Sequence, residues 1–361
     1  MNKSKSAYSA LKVQKGINPP QAVNANFIKK AKASRVGALD LDYYIQGIFK
    51  GERKILSQAI TLVESAKKEH RILAEQIIEA CLPKAQASIR IGITGVPGVG
   101  KSTFIEAFGK QLVHQGHRVA VLAIDPSSSK NKGSILGDKT RMEALSTEEN
   151  AFIRPSPSSG SLGGVAQKTR ETISLCEAAG FDIILVETVG VGQSEIAVHS
   201  MVDFFLLLML AGGGDELQGI KRGIIEMSDA IFINKADGDN LNKAKISRAQ
   251  YANALHLFPQ PESHWPPVAD ICSAVTGMGI DKVWTYILDY VNTTKTNNFF
   301  YVKRQQQELF RFHEQIESKL KHYFFEDKRI IKLLKKAEEA LMNNEKSAYQ
   351  LAEDLMQKWH K

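Results

Sequence analysis

The sequence predicts an α/β fold in which helices sandwich a mostly parallel sheet, with helical extensions at the N- and C-terminal ends. Six short apolar runs, several rich in β-branched residues, alternate with helical stretches between residues 88 and 234. Strands that are apolar almost throughout are typical of parallel sheets buried on both faces. A glycine-rich loop joins the first run to the first helix of this region, and amphipathic patterns flank the region on both sides.

The candidate strands follow one another along the central part of the chain. They cover residues 89–94, 118–124, 151–154, 182–187, 204–209 and 230–234. Residues 126–164 are rich in Ser, Gly, Pro and Lys. Because long segments of this composition are more often functional than idle in compact α/β domains, we expect this one to serve the site.

Helical patterns occupy the chain on either side of the strands. In residues 53–63, apolar side chains at 55, 56, 59, 60, 62 and 63 form the stripe of an amphipathic helix. Beyond residue 300, one helical face carries Leu309, Phe312, Ile316 and Leu320. The predicted segments are a basic flexible tail (1–39), an N-terminal helical segment (40–85), the α/β domain (86–295) and a C-terminal helical region (296–361). The pattern leaves two interpretations of the last region open, a dimerisation arm and a helical cap on the sheet.

The net charge of +8 comes from the first 39 residues of the chain. They hold seven lysines, one arginine and no acidic residue, so the other 322 residues carry 39 basic and 39 acidic side chains. A neutral body with a basic tail argues against a nucleic-acid-binding face. We expect a mobile tail, and the alternatives are contact with an acidic partner or an organelle presequence.

Hydropathy and cysteine content indicate a cytoplasmic protein. No apolar run reaches the 18 or more residues of a membrane helix, and the longest, residues 204–211, suits a buried strand, so no membrane partner is expected. Cys81, Cys176 and Cys272 are scattered and form no CxxC pair, which is typical of reduced, buried thiols.

The glycine-rich loop at residues 95–103 reads GVPGVGKST and matches G-x-x-x-x-G-K-[ST] at every fixed position. It follows a strand and precedes a helix, so its backbone N–H groups and the positive end of that helix are placed to hold phosphates. Lys101 is expected to reach the β- and γ-phosphates, and Ser102 to bind Mg²⁺. The predicted phosphate-loop residues are Gly95, Val96, Pro97, Gly98, Val99, Gly100, Lys101, Ser102 and Thr103.

Two later segments predict that the base is guanine. NKAD at 234–237 closes a candidate strand, as N-K-x-D does in GTPases. The carboxylate of Asp237 can accept from both N1–H and the exocyclic amine of guanine, whereas adenine leaves that carboxylate unpaired. SAV at 273–275 supplies the short element whose backbone usually contacts guanine O6. The predicted base-binding residues are Asn234, Lys235, Asp237, Ser273, Ala274 and Val275.

Acidic residues and a glycine near strand ends are candidates for the metal and the γ-phosphate. Glu187 ends a candidate strand where many GTPases carry D-x-x-G, and the N–H of Gly190 can bond the γ-phosphate. Glu187 can hold Mg²⁺ directly or through water, together with Ser102, Asp125 and Asp138. The alternatives are a turn or cap role for Asp125 and a solvated loop charge for Asp138. The predicted catalytic residues are Lys101, Glu187 and Gly190.

Four further segments are more specific than the phosphate loop. They read GSILGDKTRM (133–142), FIRPSPSSGSLGG (152–164), ETVGVGQSE (187–195) and GDELQGIKRG (214–223). Through them the sequence resembles the MeaB/ArgK-type GTPases, which are chaperones of methylmalonyl-CoA mutase. The resemblance extends from about residue 40 to about residue 295.

The resemblance implies a P-loop GTPase domain with helical extensions, usually homodimeric. It implies a GTP-hydrolysing chaperone that protects an adenosylcobalamin-dependent methylmalonyl-CoA mutase and gates loading of its cofactor from an adenosyltransferase. GTP or GDP would bind with Mg²⁺, no cobalamin would bind directly, and hydrolysis would be slow until the partner accelerates it. A third switch is implied over residues 212–223, with Gln218 and Lys221 conveying the partner's presence.

Other functions are also compatible with parts of the sequence. The same chaperone role could serve another acyl-CoA mutase, such as isobutyryl-CoA mutase. A metallochaperone GTPase is disfavoured because the histidines and cysteines form no obvious ligand cluster. A kinase associated with amino-acid transport would prefer ATP, which the NKAD element opposes.

Overall fold

A seven-stranded parallel sheet forms the centre of the described structure. The structure, a computed structural model, describes residues 40–85, 88–125, 142–157, 162–188, 194–212 and 222–359. The strands are β1 (Ile89–Gly95), β2 (Val119–Asp125), β3 (Ala151–Pro157), β4 (Ile183–Thr188), β5 (Phe204–Leu210), β6 (Ala230–Asn234) and β7 (Val268–Ile271). Their order in the sheet is β3-β2-β4-β1-β5-β6-β7. The predicted fold class is confirmed, and all six predicted strands are present.

The strand that sequence analysis missed is β7, at one edge of the sheet. It has only four residues, pairs with β6 alone, and is mostly half-buried. Pro266 and Pro267 precede it directly, and prolines cannot donate to a sheet ladder. A short edge strand next to two prolines lacks the apolar run that identified the others.

Helices cover both faces of this sheet. Along the described chain they are α1 (Leu41–Phe49), α2 (Arg53–Glu64), α3 (Lys68–Cys81), α4 (Lys101–His114), α5 (Glu143–Ser146), α6 (Leu162–Ala178), α7 (Ser194–His199), α8 (Arg222–Glu226), α9 (Leu241–Leu255), α10 (Ile280–Thr296), α11 (Phe299–Glu326), α12 (Lys328–Met342) and α13 (Ala348–Trp359). On one face α4 and α10 meet through Phe108 and Trp284, whose ring centroids are 6.2 Å apart. On the other face α2, α3 and α6 pack through Leu56, Ile77 and Leu175. The sheet therefore lies between two apolar layers.

The N-terminal helices are anchored to the sheet by apolar and ionic contacts. Helix α2 buries residues 55, 56, 59, 60 and 63, most of its predicted stripe. Arg154 of β3 pairs with Glu64 at the end of α2 and also donates to Ser57. The N-terminal helices therefore form part of the packed structure.

The C-terminal helices α11 to α13 present apolar side chains to solvent. Leu309, Phe312, Ile316 and Leu320, the predicted stripe on α11, are all exposed. Helix α12 buries Ile330 and packs against α11 and α13. No helix in the part of the chain that the structure describes is long and apolar enough to cross a membrane.

Candidate nucleotide-binding site

The phosphate loop begins at the carboxyl end of β1 and runs directly into α4. Gly98 and Gly100 have φ angles of +80° and +92°, in the left-handed region that favours glycine. A Cβ atom on Gly100 would also lie 3.1 Å from the Nδ2 atom of Asn234. A Cβ atom on Gly95 would lie 2.4 Å from the carbonyl oxygen of Leu208. The loop conformation therefore requires these glycines.

Lys101, the first residue of α4, is folded back over the phosphate loop. Its Nζ donates to the carbonyl oxygens of Gly95 at 2.8 Å and Val96 at 3.3 Å. Burial lowers the pKa of Lys101, and the carboxylates of Glu187 and Glu195 act in the opposite direction. The buried ammonium supplies positive charge at a loop built from backbone groups.

The predicted metal ligands on α4 and β4 lie within hydrogen-bonding distance of each other. Ser102 Oγ donates to Glu187 Oε1 at 3.1 Å. Next to them, Thr188 Oγ1 donates to Thr94 Oγ1 at 2.8 Å and ties the ends of β4 and β1 together. A hydroxyl and a carboxylate at this place are hard oxygen ligands, which fits Mg²⁺. Asp125 ends β2, the strand next to β4, but its side chain lies outside the described residues.

Asn234 joins the phosphate loop to the loop after β7. Its Nδ2 donates to the carbonyl oxygen of Val99 at 2.8 Å, and its Oδ1 accepts from the backbone N–H of Ala274 at 3.2 Å. The thiol of Cys272 also donates to Oδ1, at 3.7 Å. Lys235, with φ +57°, places its Nζ 2.8 Å from the carbonyl oxygen of Gly98. The side chains of Asn234 and Lys235 thus fix the relative positions of the phosphate loop, the loop after β6 and the loop after β7.

Asp237 is held by Ser273 from the loop after β7. The buried Ser273 hydroxyl donates to Asp237 Oδ2, and it also accepts from the backbone N–H of Thr276. Ala274 is buried next to Asn234, whereas Val275 is 80% exposed. The carboxylate is half-buried and oriented from one side before any base is present.

The predicted residues of the phosphate loop and the base-binding loops therefore meet at the carboxyl edge of β1, β6 and β7. This edge is where ligands bind in parallel α/β sheets. Several predicted residues lie outside the described residues, and their roles stay predictions. They are Asp138, Gly190, Gln218 and Lys221.

Sequence analysis overlooked Glu195, the second residue of α7. Its side chain is only 2% exposed, and its charge acts on Lys101. In the sequence, a glutamate five residues after Gly190 resembles an ordinary surface charge in the first turn of a helix. The available signal was its place in the segment ETVGVGQSE, which joins β4 to α7.

A parallel sheet with a phosphate loop after β1 and an N-K-x-D element after β6 defines a P-loop protein of the GTPase class. The sequence model for "Methylmalonyl Co-A mutase-associated GTPase MeaB" matches residues 56–329. The chain belongs to this family.

The chain is also similar to several relatives and to a solved structure. The chain is 48% identical over 321 residues to a "Putative GTPase" of Caulobacter vibrioides, covering 89% of this chain and 98% of the relative. It is 47% identical to the GTPase ArgK of Escherichia coli, covering 83% and 91%. It is 49% identical to the mouse "Methylmalonic aciduria type A homolog, mitochondrial", covering 74% and 67%. A crystal structure titled "LAO/AO transport system kinase" superposes with a TM-score of 0.70 at 38% identity, covering 90% of this chain and 99% of that one.

Proposed function

We propose that this protein binds GTP with Mg²⁺, hydrolyses it to GDP and phosphate, and uses the cycle to protect an adenosylcobalamin-dependent methylmalonyl-CoA mutase and gate its cofactor loading. The observation that carries the nucleotide part is the contact between Ser273 and Asp237, which orients a carboxylate beside the phosphate loop. Two oxygens of a carboxylate match the two adjacent donors of guanine, and an adenine in the same place would leave them unpaired.

The chain's own residues supply most of what hydrolysis requires. Lys101 can turn from the carbonyl oxygens of its loop to phosphate oxygens, and the N–H groups of residues 98–103 can bond the β-phosphate. Ser102 and Glu187 would hold Mg²⁺, with Asp125 and Asp138 as further ligands, and Gly190 would bond the γ-phosphate. When bound, the ion would neutralise charge on the β- and γ-phosphate oxygens.

The family is named for association with a mutase, and a partner of a GTPase can supply or order groups of the catalytic site. We therefore expect hydrolysis to be slow for the protein alone and faster when a partner orders the site. Gln218 and Lys221, in the glycine-rich segment after β5, are the proposed residues that sense this partner.

The proposed partner rests on family membership. The family is named for association with methylmalonyl-CoA mutase, and the mouse relative is named for methylmalonic aciduria. An adenosyltransferase would be the second partner, since a chaperone that gates loading has to meet the source of the cofactor. Another acyl-CoA mutase, such as isobutyryl-CoA mutase, is the alternative client.

The C-terminal helices are proposed as a dimerisation arm. On one face of α11, Leu309 is 61% exposed, Phe312 58% and Leu320 51%. A contiguous apolar helix face in water marks an interaction surface more often than a free one. A second copy of the same helix would cover it with like residues, as a two-fold interface requires.

The test is to measure binding and hydrolysis of GTP and ATP with Mg²⁺, and complex formation with purified methylmalonyl-CoA mutase from the same organism. We expect a preference for GTP of at least about 100-fold, and a complex whose yield depends on whether GDP or a non-hydrolysable GTP analogue is bound. Equal use of ATP, or phosphate transfer to a protein acceptor, would instead favour a kinase. GTP hydrolysis without any mutase complex would point to another acyl-CoA mutase.

A further inference from the structure

The connection between α7 and β5, residues 200–203, lies between two parts of the candidate site. Helix α7 begins six residues after Thr188, the last residue of β4, and so follows the segment expected to meet the γ-phosphate. Strand β5 begins at Phe204 and pairs with β1, which carries the phosphate loop. Any displacement of α7 has to be absorbed by this short connection.

Helix α11 holds the connection through three side chains, those of Lys303, Arg304 and Gln307. Lys303 Nζ donates to the carbonyl oxygen of Asp203 at 2.6 Å, and Gln307 Nε2 donates to that of Val202 at 2.8 Å. Arg304 pairs with the Asp203 carboxylate through two bonds, at 2.8 Å and 2.7 Å. Arg304, Gln307 and Asp203 are buried and Lys303 is half-buried, so the contacts are largely protected from solvent screening.

Arg170 of α6 links the end of α7 to α11. One terminal nitrogen, Nη2, donates to Ser200 Oγ at 2.6 Å, and the other, Nη1, pairs with Glu314 of α11. The guanidinium also lies over the ring of Phe310, 5.1 Å from its centroid. A single side chain that is 8% exposed therefore contacts the residue after α7 and two residues of α11.

Hydrogen bonding in this junction is incomplete. Arg170 Nε and Gln307 Oε1 are buried without a hydrogen-bond partner among the described residues. A buried polar atom without a partner is costly, so a second arrangement that satisfies it can lie close in free energy. Packed junctions with two arrangements amplify small shifts at a ligand site.

We propose that Arg170 is a positioning residue that couples α7 to α11, so that exchange of GDP for GTP changes the packing of α11 at this junction. The proposal rests on the proposed function, because the γ-phosphate of GTP is what distinguishes the two states. In GTPases the segment after the metal-binding strand is ordered by the γ-phosphate, and here that segment leads directly into α7. A shift of α7 then moves Ser200, and Arg170 moves with Ser200 because the two are hydrogen-bonded. Arg170 in turn displaces α11 through its ion pair with Glu314.

The test uses the full-length protein with Arg170→Met, Glu314→Gln and the double variant. Methionine keeps apolar bulk next to Phe310, and Glu314 is partly exposed, so the second variant is expected to fold even where the first does not. The control is Glu317→Gln on the same helix, whose carboxylate is exposed and 3.9 Å from Lys321. The measurements are amide hydrogen exchange over residues 299–326 and the ratio of the dissociation constants for GDP and a non-hydrolysable GTP analogue.

We expect wild-type α11 to exchange at different rates in the two nucleotide states, and Glu314→Gln to remove that difference. By thermodynamic reciprocity, the same variant should change the ratio of dissociation constants by about fivefold. The double variant should change it no more than either single variant, and Glu317→Gln should leave it unaltered.

Equal exchange of α11 in both nucleotides, additive single variants, or an equal effect of Glu317→Gln would each overturn the coupling. These results leave nucleotide binding intact and so leave the proposed function standing. Failure of the wild-type protein to bind either nucleotide would instead remove the proposed function and the coupling with it.

Discussion

Replacing Asp237 with asparagine reverses half of the hydrogen-bonding pattern at the candidate guanine site and leaves the side-chain shape unchanged. Guanine presents two donors, N1–H and the exocyclic amine, to the two carboxylate oxygens. Asparagine has one acceptor oxygen and one donor amide, so one contact becomes donor against donor. Xanthine carries a carbonyl in place of the amine and matches the asparagine at both positions.

The size of the effect follows from the bonds that change. A hydrogen bond to a charged group contributes about 1.5–3 kcal/mol, and the variant loses one and weakens the other. Because Asp237 is half-buried, we expect a loss of about 3 kcal/mol, which is about 100-fold in affinity for GDP. The fold should survive, since the Ser273 hydroxyl that donates to Asp237 can equally accept from an amide.

The assay is competition of GDP, XDP and ADP against a fluorescent nucleotide, for wild type and Asp237→Asn. The variant should bind GDP about 100-fold more weakly and XDP about 100-fold more tightly than wild type does. Asp239→Asn, two residues further in an exposed turn, is the matched control and should bind like wild type. A folded Asp237→Asn protein that keeps its affinity for GDP and gains none for XDP would refute the base assignment.

Three further predictions concern the phosphate loop, the fold and the arm. Lys101→Ala should abolish tight GTP binding in the same assay, and a variant that binds like wild type would refute the site. Burial alone would raise the pKa of Asp203, but Arg304 and its hydrogen bonds hold that pKa below its usual range. Asp203→Asn should therefore lower the free energy of unfolding by about 3 kcal/mol at pH 7. This deficit should narrow as the pH falls below about 4 in urea titrations, because the carboxylate of the unfolded wild-type chain then takes up a proton while the native carboxylate stays ionised to a lower pH; a deficit constant with pH would contradict the pairing. Phe312→Glu should shift the mass measured by light scattering from dimer to monomer with unchanged GTP hydrolysis, and an unaltered dimer would contradict the proposed arm.

The central strands were predictable because each is a run of apolar residues buried on both faces. The predicted and observed bounds of β6 coincide at 230–234, and β1 was predicted one residue short at its carboxyl end. Strand β7 was not predicted, because three of its four residues are only half-buried and it lies at an edge of the sheet. The other strands were identified by their continuous apolar runs, and a strand that is only partly buried does not need such a run.

The placement of the candidate site residues was predictable where those residues are adjacent in the chain. The phosphate loop and NKAD are continuous segments whose spacing fixes their geometry. The Arg170 junction was not predictable, because its contacts join residues 30 and 144 positions apart and no local spacing reports them. Glu195 was missed for a related reason, since only the packed fold reveals that its charge is buried.

The measurement that tests the account most directly is the rate of GTP hydrolysis at saturating GTP, with and without purified methylmalonyl-CoA mutase. Asp237→Asn with XTP is the control, because a contaminating GTPase cannot use that pair. We expect the mutase to accelerate hydrolysis by at least about tenfold, both for wild type with GTP and for Asp237→Asn with XTP. A rate that stays unchanged at mutase concentrations far above those of this protein would contradict a mutase-stimulated GTPase.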